Sequence, residues 1–227
     1  MGANRTPMFV AQNASGVRQP ITSAPVVASG VNGKRVVVVG TGKYLEVADV
    51  SLPVLPSASL YALPEGTTPI NDRTKLSAAT VSTATGSITT SGFKPSGSNG
   101  WYADFDGSLG ERQTSPMQVD RGRLMVNTLF PTGGACGEGG GRHYNIDVLT
   151  GIGRFRDSDV GLLGGSFTIE TAAATVSKSD SSGGRVITYR QSTGLQGAKG
   201  VSNPHDEVTL TVRGGRLAWR EINRTTP

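Results

Sequence analysis

One unit is written twice in this chain. Residues 18–63 run Arg-Gln-Pro-Ile-Thr-Ser-Ala-Pro-Val-Val, then the dipeptide Asn32-Gly33, the run Arg35 to Val39, and finally Ser59-Leu60-Tyr61-Ala62-Leu63. Residues 112–150 run Arg-Gln-Thr-Ser-Pro-Met-Gln-Val, a Gly-bearing turn, Arg123 to Leu129, and finally His143-Tyr144-Asn145-Ile146-Asp147. Both copies read as a Ser/Pro-led strand, a tight turn, an apolar strand, a polar excursion and a strand carrying one aromatic. A β-meander of this kind cannot bury both faces alone and must pack against copies of itself. The repeat therefore predicts an all-β chain of propeller type, not a self-contained enzyme fold.

Composition agrees. The 227 residues include 32 Gly and 12 Pro, with 36% apolar and 17% charged residues. Such a chain suits many short strands joined by turns. No window is apolar enough to span a membrane. Met1-Gly2-Ala3-Asn4-Arg5 has no apolar stretch behind it and does not read as a secretory signal. The expectation is an intracellular chain or a piece of a longer secreted protein. Net charge is +5, but the basic residues are scattered without a run of three and no nucleic-acid motif accompanies them. Nucleic acid is not an expected partner. The single cysteine, Cys136, excludes an internal disulfide framework and any multi-cysteine metal site.

Along the chain, Val26 to Ala28, Asn32-Gly33 and Val36 to Val39 predict a hairpin on a type I′ turn, whose two central residues need φ > 0. The second strand is apolar on both faces and so is expected inside a sheet. Residues 64–100, dominated by Thr, Ser, Gly and Ala, read as short strands or a mobile excursion. Trp101 to Phe105 alternates as an outer strand would. Asp120-Arg121-Gly122 predicts a three-residue loop with a bulge. Residues 131–142, with six glycines, read as a loop. Later strands are expected at Phe167 to Glu170 and Arg185 to Tyr189. A last hairpin turning at Gly214-Gly215 would pair Val212 with Leu217 and Leu210 with Trp219.

Motifs that could carry chemistry are incomplete. Val36 to Leu45 reads VVVVGTGKYL, but Leu45 stands where a dinucleotide fingerprint needs Gly, and Val37 stands where a phosphate loop needs Gly. The Asp104-Phe105-Asp106-Gly107 step lacks an acid at the twelfth position of a calcium loop, which is Ser115. His143 and His205, the only histidines, lie in no metal pair or nucleophile constellation. Cys136 has no acid or base near it in sequence; a free thiol or a bond outside the chain fits it better than catalysis. No catalytic, cofactor-binding or metal-binding residue is assigned.

An ordered set of short motifs carries a family resemblance. These are Gln19-Pro20-Ile21-Thr22-Ser23-Ala24-Pro25, Val39-Gly40-Thr41-Gly42-Lys43-Tyr44-Leu45, Gly100-Trp101-Tyr102 and Cys136-Gly137-Glu138-Gly139-Gly140. Asn145-Ile146-Asp147-Val148-Leu149-Thr150-Gly151 and Gly215-Arg216-Leu217-Ala218-Trp219-Arg220-Glu221 complete it. The chain resembles the C-terminal β-propeller region of the PilY/PilC family of type IV pilus tip and assembly proteins, over nearly its whole length. The resemblance implies a place at the cell surface or pilus tip, or in the periplasm and outer membrane. It further implies a part in pilus biogenesis and adhesion, with minor pilins, other pilus components or host surface receptors as partners. The family's calcium loop and integrin motif have no counterpart in these residues, so no cofactor is expected.

The resulting expectation is all-β: a partial β-propeller of about three to four antiparallel blades, spanning residues 1–227 with a long polar insertion at about 64–100. Its function would be non-enzymatic, through protein–protein contacts of propeller loops, with the 64–100 and 131–142 segments as candidate surfaces. A quinoprotein-like propeller enzyme and an anion-binding module driven by the Arg excess are the rivals. A closed ring needs at least about four blades, so an exposed sheet edge prone to pairing is also expected.

Overall fold

The computed structural model describes residues 6–50, 57–66, 69–70, 72–90, 100–131 and 140–158, and the backbone of four later strands. The chain divides into two compact units, residues 1–167 with 193–206, and residues 168–192 with 207–227. Every described regular element is a strand or a short 3-10 turn. Among the described residues no helix is long and apolar enough to cross a membrane.

The first unit is built on ten strands. They are β1 (Val26–Ser29), β2 (Arg35–Gly40), β3 (Ser59–Pro64), β4 (Ser77–Ser82), β5 (Ser87–Thr90), β6 (Trp101–Asp104), β7 (Gln118–Asp120), β8 (Arg123–Phe130), β9 (Gly140–Asp147) and β10 (Gly153–Ser158). They join in one hydrogen-bonded path, β1-β2-β3-β6-β4-β5-β10-β9-β8-β7. The doubled sequence unit is visible in that order. β1-β2-β3-β6 and β7-β8-β9-β10 are each four-stranded antiparallel meanders, one at either end of the path. The ends themselves, β1 and β7, approach within 8 Å between Cα atoms.

Where propeller blades would be separate sheets, a hairpin here welds the two meanders into one. β4 lies parallel to β6 over Ser77 to Ala79, and β5 pairs β10 at Ile88 and Ser87. This hairpin is the described heart of the 64–100 segment: of the two alternatives read there, it shows the short strands, and Ala79 and Ile88 reach the core from them. Ile88 is fully buried in the main core, and Ile70, Arg73 and Leu76, earlier in the segment, are buried in a second place. Trp101 to Asp104 is likewise not an outer strand: β6 is flanked by β3 and β4. Its alternation survives because one face meets the main core while Tyr102 packs on a second cluster.

The turns follow backbone chemistry. Asn32 (φ 58) and Gly33 (φ 74) adopt the expected left-handed pair. Lys34 N donates to the Val31 carbonyl at 3.3 Å across that turn. The second hairpin differs from expectation. Asp120 pairs with Arg123, so the loop is two residues, not three. Arg121 (φ 48) and Gly122 (φ 79) both take the left-handed conformation that a type I′ turn demands. Gly140, Gly141 and Arg142, expected in a loop, begin β9. Residues 132–139, with Cys136, lie outside the described residues.

The main core is formed by the alternate residues that share one face. Val38, Leu60, Trp101, Ile88, Val126, Tyr144 and Ile146 are all within 1% of complete burial. Phe105, Tyr144 and Phe155 stack in a row, with ring centroids 5.6 and 5.2 Å apart. Trp101 Nε1 donates to the Val148 carbonyl at 3.0 Å, tying the first meander to the β9–β10 turn. A smaller cluster of Tyr61, Leu63, Ile70, Leu76 and Ala11 lies apart from it. There Arg73 donates to both Asp104 carboxylate oxygens, 2.8 and 2.6 Å, and stacks 4.1 Å over Tyr102.

The remaining strands, β11 (Ser166–Glu170), β12 (Thr175–Lys178), β13 (Arg185–Leu195) and β14 (Asp206–Gly214), form a second sheet. Its order is β11-β13-β12, with β14 also on β13. The strands expected at 167–170 and 185–189 are in it; the proposed partner strand after Gly215 lies outside the described residues.

If the inserted hairpin is core, Ile88→Ala should lower stability by about 2–4 kcal/mol, while the exposed neighbour Thr89→Ala should shift the urea midpoint little. Equal, small effects would show that the hairpin is peripheral.

Candidate functional site

Between the two meanders, just before β7, stand three consecutive polar residues that are almost wholly buried: Glu111, Arg112 and Gln113, at 1%, 3% and 0% exposure. Burying such groups is costly unless each is hydrogen-bonded. Each reaches a different part of the first unit.

Glu111 reaches the second meander. Its Oε2 accepts from Arg142 Nη1 at 2.6 Å, and its Oε1 accepts from Thr128 Oγ1 at 2.6 Å and Tyr144 OH at 2.7 Å. Arg142 also donates through Nε to Asp157 at 2.7 Å and lies 3.7 Å from Asp106. Its guanidinium sits 4.7 Å over the Phe155 ring. Burial alone would lower the Arg142 pKa, but the Glu111 charge and the Asp157 hydrogen bond outweigh it and raise it. Tyr144 is raised, first by burial and then by the Glu111 carboxylate, so its hydroxyl stays a donor.

Arg112 reaches the first meander. Its Nη1 donates to the carbonyls of Lys43 at 3.0 Å and Asp49 at 2.9 Å, and its Nε to Gly110 at 2.9 Å. Burial lowers its pKa, opposed by the nearby Asp49 charge. Gln113 completes the join. Its backbone N donates to Thr41 O at 3.0 Å, and its Oε1 accepts from Ser23 Oγ at 2.7 Å. This close approach explains two glycines of the Val36 to Leu45 run. A Cβ on Gly40 would lie 2.3 Å from Gln113 Oε1, and one on Gly42 would lie 2.7 Å from Arg112 Cβ. The run is therefore a strand end shaped for packing.

What Arg112 holds is the loop from Lys43 to Val50. Inside it, the buried Asp49 carboxylate accepts from the backbone N of Leu45 at 2.8 Å and of Glu46 at 2.9 Å, and lies 3.5 Å from Lys43 Nζ. Burial raises the Asp49 pKa, but those bonds and Lys43 bring it below its ordinary value. The loop tip points outward: Leu45 is 76% exposed and Val47 91%. This apolar tip, held by an internal frame, was not singled out from sequence; the stretch between Gly42 and Pro53 holds Tyr44, Leu45, Val47, Ala48, Val50 and Leu52, and nothing local marks which of them face water.

The other residues weighed from sequence have structural places. Asp104 pairs with Arg73, and Asp106 caps the turn at Ser108 with its carboxylate. His143 is 1% exposed on the other face of β9, with Nδ1 2.8 Å from Asn127 Oδ1, and burial pushes its pKa down to about 4. Cys136 and His205 lie outside the described residues. Among the described residues no group of three His, Cys, Asp or Glu is placed to hold a metal ion.

Breaking the ion pair should cost more than removing it. Arg142→Met leaves Glu111 buried without its cation and should lose about 3–5 kcal/mol, with part recovered in the Glu111→Gln/Arg142→Met double variant; no recovery in urea unfolding would refute the pairing. His143, whose folded pKa lies below its ordinary 6.5, contributes stability that is full above pH 6.5 and is lost as pH falls toward 4. The loss should approach about 3 kcal/mol, and His143→Gln should flatten that part of the stability–pH curve.

Comparison with known proteins is consistent with this architecture. No protein-family model matches the chain. A type IV pilus biogenesis factor PilY1 homolog from Xylella fastidiosa is 29% identical over 162 residues, covering 65% of this chain and 11% of the relative. Type IV pilus biogenesis factor PilY1 from Pseudomonas aeruginosa is 24% identical over 261 aligned positions, covering 95% of this chain and 22% of the relative. The chain thus spans less than a quarter of the length of these curated relatives. The crystal structure of the Pseudomonas aeruginosa PilY1 C-terminal domain matches with a TM-score of 0.54 at 19% identity, covering 80% of this chain and 46% of that one. In sequence and in fold, this chain resembles the C-terminal region of the PilY1 proteins.

Proposed function

We propose that this chain is a component of type IV pilus biogenesis that works by protein–protein contact and not by catalysis. The observation that carries this reading is the similarity to a PilY1 biogenesis factor along 95% of the chain. The fold likeness to the PilY1 C-terminal domain supports it independently of any single motif. In this reading, each four-stranded antiparallel meander is a propeller blade, and the β4–β5 hairpin is a polar insertion between the third and fourth strands of the first, recruited into the sheet between the two. The loops at the ends of these strands meet minor pilins or other pilus components, and at the pilus tip or cell surface they contribute to adhesion to host receptors. The reading includes no cofactor and no metal.

The test is genetic and biochemical. In-frame deletion of the coding region in its own organism should remove surface pili and twitching motility, and complementation with the intact gene should restore both. The tagged protein should co-purify with minor pilins from cross-linked cells. Wild-type piliation and motility in the deletion strain would overturn the proposal.

A further inference from the structure

We draw no further inference here: the strongest candidate, the exposed apolar tip at Leu45 and Val47 of the loop that Arg112 and Asp49 hold, carries nothing because nothing in the structure shows what covers it.

Discussion

Two antiparallel meanders cannot be joined at their outer edges by backbone hydrogen bonds when those edges only approach one another, and this constraint sets much of the first unit. β1 and β7 lie close without a ladder between them. The join is made instead by Glu111, Arg112 and Gln113, three buried polar side chains in succession. Glu111 engages the second meander through Arg142, Thr128 and Tyr144; Arg112 and Gln113 engage the first through the carbonyls of Lys43, Asp49 and Thr41. An apolar segment in their place could fill the volume and keep the backbone bond from residue 113 to Thr41 O, but could not satisfy the Lys43 and Asp49 carbonyls. The polar choice trades desolvation for a single register.

The same logic recurs at the start of each repeat. Gln19 and Gln113 occupy equivalent places in the doubled sequence, and both are buried and bonded to Ser-bearing backbone nearby. Gln19 Nε2 donates to Ser57 O and to Ser59 Oγ, and Gln113 Nε2 to Ser115 O. The preceding arginines differ in place. Arg18 is exposed, whereas Arg112 is buried and holds the Lys43 to Val50 loop. The two repeats thus present matching frames, and the difference between their arginines distinguishes a surface residue from the clamp of an exposed loop.

Some of this was legible in the chain. Asn32-Gly33 announces its turn because few residues tolerate φ > 0 twice in succession, and four consecutive valines announce an interior strand. The Arg121-Gly122 turn was misread as three residues because Arg is an uncommon occupant of the left-handed region; pairing of Asp120 with Arg123 imposes it. The Ser/Thr-rich β4–β5 hairpin lacks a strong apolar period, so its place beside β6 and β10 could not be read locally. Tyr102 and Asp104 suggested an outer strand because their partner, Arg73, comes from a segment about thirty residues earlier and meets them only after folding.

The sequence by itself determined the all-β character, the two meanders, and the turns that demand left-handed backbone. Those follow from local sterics and from apolar alternation, which a short stretch of chain already contains. Tertiary structure decided which polar residues are interior, that the 77–90 hairpin closes the gap between the meanders, and that Leu45 and Val47 face water. The reason is physical: Glu111 looks like any surface glutamate until Arg142 and Tyr144 arrive from the other meander. Burial of a charge depends on partners that neighbouring residues do not reveal.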